Sequence, residues 1–288
     1  MLRPRSGALS YPIHWVTVVR DSAADRASAV RSAGALISGA VVGTVGGLIG
    51  LGGAEFRLPL LISAFRYAPL EAIILNKATS LIVVASALVF RTRNVPLDLL
   101  ASHWKIVVNL LAGSLLGAWL GASWATRMRS SMLYKLIALL LVGIAIVLLL
   151  GHTSVSLRSA ALQGWELWIV GALAGLAIGI VASLLGVAGG ELLIPTLVLL
   201  FGVEIKLAGS LSLAVSLPTM LVGFARYSRD QSFTVLARHR WFLICMAVGS
   251  IAGTFIGAYL LGYTSGSVLY PLLALILALS ALKVWRHT

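Results

Sequence analysis

The sequence predicts an all-α integral membrane protein with eight full transmembrane helices and two short half-helices, built from two tandem repeats. Three observations predict it. Of 288 residues, 59% are hydrophobic and only 11% charged, with a mean hydropathy of +1.00. Soluble domains run about 45–50% apolar and about 25% charged. The polar residues gather in short clusters between apolar runs, several long enough to cross a bilayer core, which takes about 20 residues of helix. A shift of 136 positions then lays the second half of the chain on the first without a gap, Gly39 on Gly175. The same composition excludes a disordered chain.

Residues 1–32 form a basic tail in which Arg3, Arg5, Arg20, Arg26 and Arg31 outnumber Asp21 and Asp25. Its apolar stretch, Ile13 to Val19, is short and interrupted by His14. It therefore does not read as a cleaved signal, and a cytoplasmic tail lying on anionic lipid is the expectation. The net charge of +13 would suggest nucleic acid in a soluble protein. Here the cations lie in the loops of a membrane protein, where the positive-inside rule puts them, and no nucleic-acid partner is expected. Cys245 stands alone inside an apolar run, so a disulfide, zinc or redox framework within one chain is excluded.

Eight runs are long enough to span: Gly34–Gly50, Ala72–Phe90, Trp104–Ala125, Leu133–Leu150, Trp168–Leu185, Leu207–Phe224, Trp241–Gly262 and Ser267–Val284. Two more, Phe56–Phe65 and Leu192–Phe201, would each be about 15 Å long as helices, roughly half the hydrocarbon core. These are the half-helices.

The internal register extends far beyond one glycine pair. Gly43 meets Gly179, Gly53 meets Gly189, Glu55 meets Glu191, Pro59 meets Pro195, Ser80 meets Ser216, Arg93 meets Arg229 and His103 meets His239. Gly113, Gly117 and Gly121 meet Gly249, Gly253 and Gly257, and Tyr134 meets Tyr270. The organisation is a first repeat over 33–151, a linker over 152–168 and a second repeat over 169–288. Internal duplication is a signature of secondary transporters. The glycines recurring every fourth residue suit close helix contact and carry no ligand role.

Each half-helix follows a glycine cluster: Gly50-Leu51-Gly52-Gly53-Ala54-Glu55-Phe56-Arg57-Leu58-Pro59 in the first copy and Gly186-Val187-Ala188-Gly189-Gly190-Glu191-Leu192-Leu193-Ile194-Pro195 in the second. Clustered glycines between apolar runs break a helix, and the proline is expected early in the next one, where its missing N–H costs little. A broken helix presents unpaired N–H groups at a positive dipole end, which suits an anion. Such backbone survives at membrane depth only where protein covers it or it lines a cavity. The alternative is that the glycines only turn the chain. The expected substrate-binding backbone is Gly52, Gly53, Gly189 and Gly190.

With Ala78-Thr79-Ser80-Leu81 following the first half-helix, this duplicated Gly-x-Gly-Gly pattern resembles the sulfite exporter TauE/SafE family, also called the toluene-sulfonate uptake permease family. The resemblance covers nearly the whole chain after residue 33. It implies a multi-pass protein of the bacterial inner membrane that moves sulfite, organosulfonates or other sulfur-containing anions. The chain departs from the commoner triple glycine at Ala54 and Ala188, and Leu213-Ala214-Val215-Ser216-Leu217 lacks the threonine.

Ionisable groups within a span are functional candidates. Glu55 and Glu191 stand symmetrically in the first turns of the half-helices. Each either complements its own helix N-terminus or, if buried, couples transport to protons. Arg57 and Lys77 correspond to Leu193 and Leu213, so both cations belong to the first repeat alone. A single asymmetric anion needs only one such set. Arg suits bidentate oxyanion contact and Lys a point charge; pairing with Glu55 or Glu71, or snorkelling of Lys77, is the other reading. Asn76, Thr79, Ser80, Ser212 and Ser216 could donate to the same oxyanion or satisfy helix carbonyls. His103 and His239 open symmetric spans, where interfacial anchoring is expected ahead of a proton relay.

No His-Glu-x-x-His, phosphate loop or facing carboxylate pair occurs, so no enzyme activity and no metal or cofactor is expected. The expectation is a proton-coupled secondary transporter of a small sulfur-containing anion. Its partners are that anion and membrane lipid, with a homo-oligomer left open. An anion channel, or a carrier of a carboxylate, fits the same donors. Parallel repeats and inverted repeats both put 15 Lys/Arg on the side of the termini against 6 on the other. Both models therefore place the termini in the cytoplasm.

Overall fold

The computed structural model describes residues 29–45, 53–91, 102–153 and 164–260, with isolated positions between 275 and 286. These residues are helical with connecting turns, and no strand occurs among them. In chain order the helices are α1 (Ala29–Val45), α2 (Ala54–Ser63), α3 (Pro69–Arg91), α4 (Trp104–Arg127), α5 (Ser130–Thr153), α6 (Trp165–Leu185), α7 (Gly190–Phe201) and α8 (Ile205–Tyr227). A 3-10 turn over Gln231–Thr234 and a short α9 (Val235–Arg238) lead into α10 (Arg240–Leu260).

Five stretches are long and apolar enough to cross a membrane: Pro69–Leu88, Trp104–Arg127, Trp165–Leu185, Leu207–Tyr227 and Arg240–Gly257. Ala29–Val45, Ser130–Gly143 and Leu192–Phe201 are shorter apolar helices. The run expected over Ser267–Val284 lies almost wholly outside the described residues, as does most of the 1–32 tail and of the linker.

Both half-helices form, and each starts directly on a left-handed glycine, Gly53 (φ +71°) and Gly189 (φ +78°). That conformation is open to glycine and costs other residues about 1–2 kcal/mol. The start is earlier than expected, which moves the prolines. Pro59 and Pro195 sit inside α2 and α7, not in the first turn. Each therefore removes a real intrahelical bond to the carbonyl four residues back, that of Glu55 and Glu191.

Each half-helix runs back along the helix before it. Arg31, near the start of α1, donates from Nη2 to the Phe65 carbonyl just beyond α2 at 3.1 Å. In the second half Gly171, in the second turn of α6, lies against the Phe201 ring at the end of α7. Helix α3 then packs antiparallel to α8. Tyr67, just before α3, meets His239 edge to face; further along α3, Lys77 lies over Tyr227 and Val84 packs with Met220.

The glycine stripes decide the other contacts. Cβ atoms at Gly113 and Gly117 of α4 would overlap the carbonyls of Ala172 and Leu176 on α6. Cβ atoms at Gly249 and Gly253 of α10 would overlap those of Leu36 and Ala40 on α1. The reciprocal approaches, Gly175 to Leu110 and Gly39 to Met246, follow the same rule. Every one of these contacts has an image obtained by adding 136 to one partner and subtracting it from the other. Only a missing side chain lets two helix backbones approach this closely. Each half is thus clamped to the first helix of the other half.

Candidate substrate site at the helix breaks

The polar residues of the two halves meet where α3 crosses the ends of α2 and α6. Glu55, Arg57, Asn76, Lys77, Thr79, Ser80, Ser212 and Ser216 are all buried, with Arg57 and Asn76 at 0% exposure and Lys77 at 1%. Burying a polar group stabilises only when it is hydrogen-bonded, and a charge costs more than a neutral group.

Arg57 reaches from α2 to α3. Its Nη1 donates to Asn76 Oδ1 at 3.3 Å and to Ser80 Oγ at 3.1 Å. The Asn76 amide then bridges the halves: Nδ2 donates to the Ala54 carbonyl at the start of α2 and to the Leu185 carbonyl at the end of α6, each at 3.0 Å. This amide closes both helix breaks with one side chain, because its two N–H groups face opposite ways across α3.

Lys77, one residue on, faces the second half. Its Nζ donates to Ser183 Oγ on α6 at 3.3 Å and lies 6.0 Å from the centre of the Tyr227 ring on α8. Tyr227 is held by its own hydroxyl, which donates to the Ser183 carbonyl at 2.9 Å. Gly223 makes the room: a Cβ there would stand 2.9 Å from Lys77 Nζ. Among the described residues no carboxylate lies within ion-pair distance of Lys77, so the expected pairings with Glu55 and Glu71 and the snorkelling alternative do not describe it.

The remaining predicted residues divide. Ser216 Oγ donates to the Ala188 carbonyl at 2.7 Å and pins the second glycine bend to α8. Thr79 and Ser212 donate to carbonyls of their own helices, Leu75 and Gly209. Gly53 and Gly189 cap the half-helices, and Gly190 opens α7. Glu55 lies in the first turn of α2, with Oε1 buried and without a hydrogen-bond partner among the described residues. Gly52 and the side chain of Glu191 lie outside the described residues.

Sequence reasoning missed Ser183, Tyr227 and Gly223, and also the hydrogen bond between Ser114 on α4 and Thr219 on α8 at 2.7 Å. The repeat could not point to the first two. Their counterparts, Gly47 and Arg91, have unrelated chemistry.

The arrangement offers a buried ammonium, a buried guanidinium already oriented by an amide and a hydroxyl, and two glycine-capped helix starts. Among the described residues no group of His, Cys, Asp and Glu could hold a metal ion. The family model for the sulfite exporter TauE/SafE matches residues 35–284. No curated protein and no solved structure matches the chain.

Proposed function

The chain belongs to the sulfite exporter TauE/SafE family, and we propose that it is a proton-coupled secondary transporter of a small sulfur oxyanion, sulfite or an organosulfonate. One observation carries the anion assignment. Among the described residues, Lys77 is buried with a single hydroxyl for a hydrogen-bond partner and no carboxylate beside it. An ammonium without a counter-charge is costly inside a protein, and an incoming anion supplies the missing charge. The sulfur class rests on family membership. The carboxylate carrier shares the same donors and is separated from it by the test below.

The two halves work as inverted repeats. Support comes from α3 and α8, which correspond under the 136-residue shift yet run in opposite directions, and from the half-helices that return along α1 and α6. In this arrangement the linker faces the outside, and a cysteine placed at Ser156 is labelled by an impermeant reagent from outside the cell. Alternating access then rocks one half against the other about the α3–α8 crossing.

Glu55 and Glu191 carry the coupling proton, with Glu191 the principal carrier, because Leu193 stands where the first half has Arg57. Glu191→Gln abolishes pH-driven uptake and leaves substrate exchange intact. Equal behaviour of Glu55→Gln removes the asymmetry.

The function is tested by thermal shift of the purified protein with sulfite, sulfoacetate, taurine, arylsulfonates and carboxylate controls. A ligand that binds the folded state raises its melting temperature. Sulfur anions stabilise the wild type and not Lys77→Ala. Stabilisation by carboxylates alone selects the carboxylate reading, and stabilisation by cations alone defeats both.

A further inference from the structure

We propose that the groove beside the α4–α5 turn binds the phosphate of an anionic phospholipid from the cytoplasmic leaflet. Trp124, Arg127, Met128, Arg129 and Met132 line this groove, whose volume is about 640 Å³. Trp124 and Met132 are more than half exposed, facing the surroundings of the helix bundle. The groove thus combines an apolar wall with two guanidinium groups at the helix end. That pairing suits an acyl chain joined to a phosphate, and Arg binds phosphate through two parallel N–H donors.

Neighbouring arginines show the contrast. Arg226 and Arg229 stack on Trp119 at 5.7 and 5.2 Å from the ring centre, and Arg226 Nε donates to Ser123 Oγ at 2.8 Å. The side chains of Arg127 and Arg129 make no hydrogen bond, ion pair or ring contact among the described residues. The first turn of α5, from Ser130, adds backbone N–H groups beside them.

The second half of the sequence does not carry these cations. The corresponding positions in the second half are Leu260 for Trp124, Tyr263 for Arg127, Ser265 for Arg129 and Val268 for Met132. The basic pair lies at the end that holds the start of α1 and the close of α8, on the side with the Lys/Arg excess. The cytoplasmic surface is where anionic lipid sets up a negative potential that attracts such groups.

The test measures the melting temperature of the purified protein in neutral detergent. Phosphatidylglycerol, phosphatidylcholine of the same chains, and inorganic phosphate are added separately. Phosphatidylglycerol raises the wild-type melting temperature by several degrees beyond phosphatidylcholine. The Arg127→Gln/Arg129→Gln double variant loses that increment, whereas Arg226→Gln keeps it. The double variant still shows the sulfur-anion shift, so this result stands apart from the transport reading. Native mass spectrometry supplies a second readout: wild type retains at least one more phosphatidylglycerol than the double variant. Equal shifts with both lipids, an undiminished increment in the double variant, or the same increment from inorganic phosphate each overturns the proposal.

Discussion

At matching steps of the two half-helices stand Arg57 and Leu193, and at matching steps of α3 and α8 stand Lys77 and Leu213. Around Arg57 the structure builds a polar cluster with Asn76 and Ser80. Around Leu193, by contrast, Leu197, Val203, Leu207 and Leu211 complete an apolar cluster. The outer ends differ in the same way. Arg31, Tyr67 and His239 meet beside the end of α2, whereas Leu167, Val203 and His103 hold the corresponding positions. The two halves share a sequence register, and both buried cations, Arg57 and Lys77, stand in the first. The first half supplies the charges, and the second supplies Ser183 and Tyr227, which seat Lys77. Lys77 and its hydrogen-bond partner thus come from different halves.

The largest effect follows from erasing the difference. Arg57→Leu gives the first half the residue of the second. It removes two charge-assisted hydrogen bonds, each worth about 1.5–3 kcal/mol when buried. Sulfur-anion affinity, read by calorimetry, falls at least about tenfold, while Leu193→Ala leaves it within about threefold. Equal losses in the two variants make the cluster structural.

The second effect concerns the glycine bend between α6 and α7. Gly186 has φ +67°, and a Cβ there would overlap the Ile73 carbonyl on α3. Gly186→Ala therefore costs at least about 1–2 kcal/mol for the backbone conformation, with the overlap added. The melting temperature drops by several degrees, against no loss for Gly143→Ala, where nothing lies within 4 Å.

Much of this was legible because glycine and proline punctuate the chain locally. Gly53 and Gly189 marked both helix breaks to within a residue or two. The depth of the prolines was misjudged, because helix α2 starts at Ala54 and α7 at Gly190, each directly on a left-handed residue. For Asn76 and Ser80 the sequence leaves two readings open, oxyanion donors or partners of helix carbonyls. In the structure they orient Arg57, a role that depends on how close α2 comes to α3. The seat of Lys77 was illegible for a related reason. Ser183 lies 106 residues away, and the choice of neighbour is made by glycine stripes that advertise close packing without naming a partner.

The smallest effect is at the outer end of the charged half. His239 sits outside the spans, and burial, then Arg31, with Arg238 adding, lowers its pKa from the ordinary 6.5 despite the opposing Glu71. The folded state therefore binds fewer protons than the unfolded one within this window. The stability involved is fully present above about pH 6.5 and is lost as pH falls through the lower folded value. Melting temperature between pH 8 and pH 5 falls less steeply in His239→Gln than in wild type. An unchanged slope assigns the pH dependence to other groups.

Counter-flow in proteoliposomes tests the central claim, that a buried cation in one half and its seat in the other form a single carrier site. Vesicles loaded with unlabelled sulfite accumulate labelled sulfite transiently if bound substrate is exchanged across the membrane. Wild type shows this overshoot, saturating with concentration, and Lys77→Met loses it while remaining folded by melting temperature. A flux that does not saturate, or an overshoot undiminished in Lys77→Met, contradicts the account.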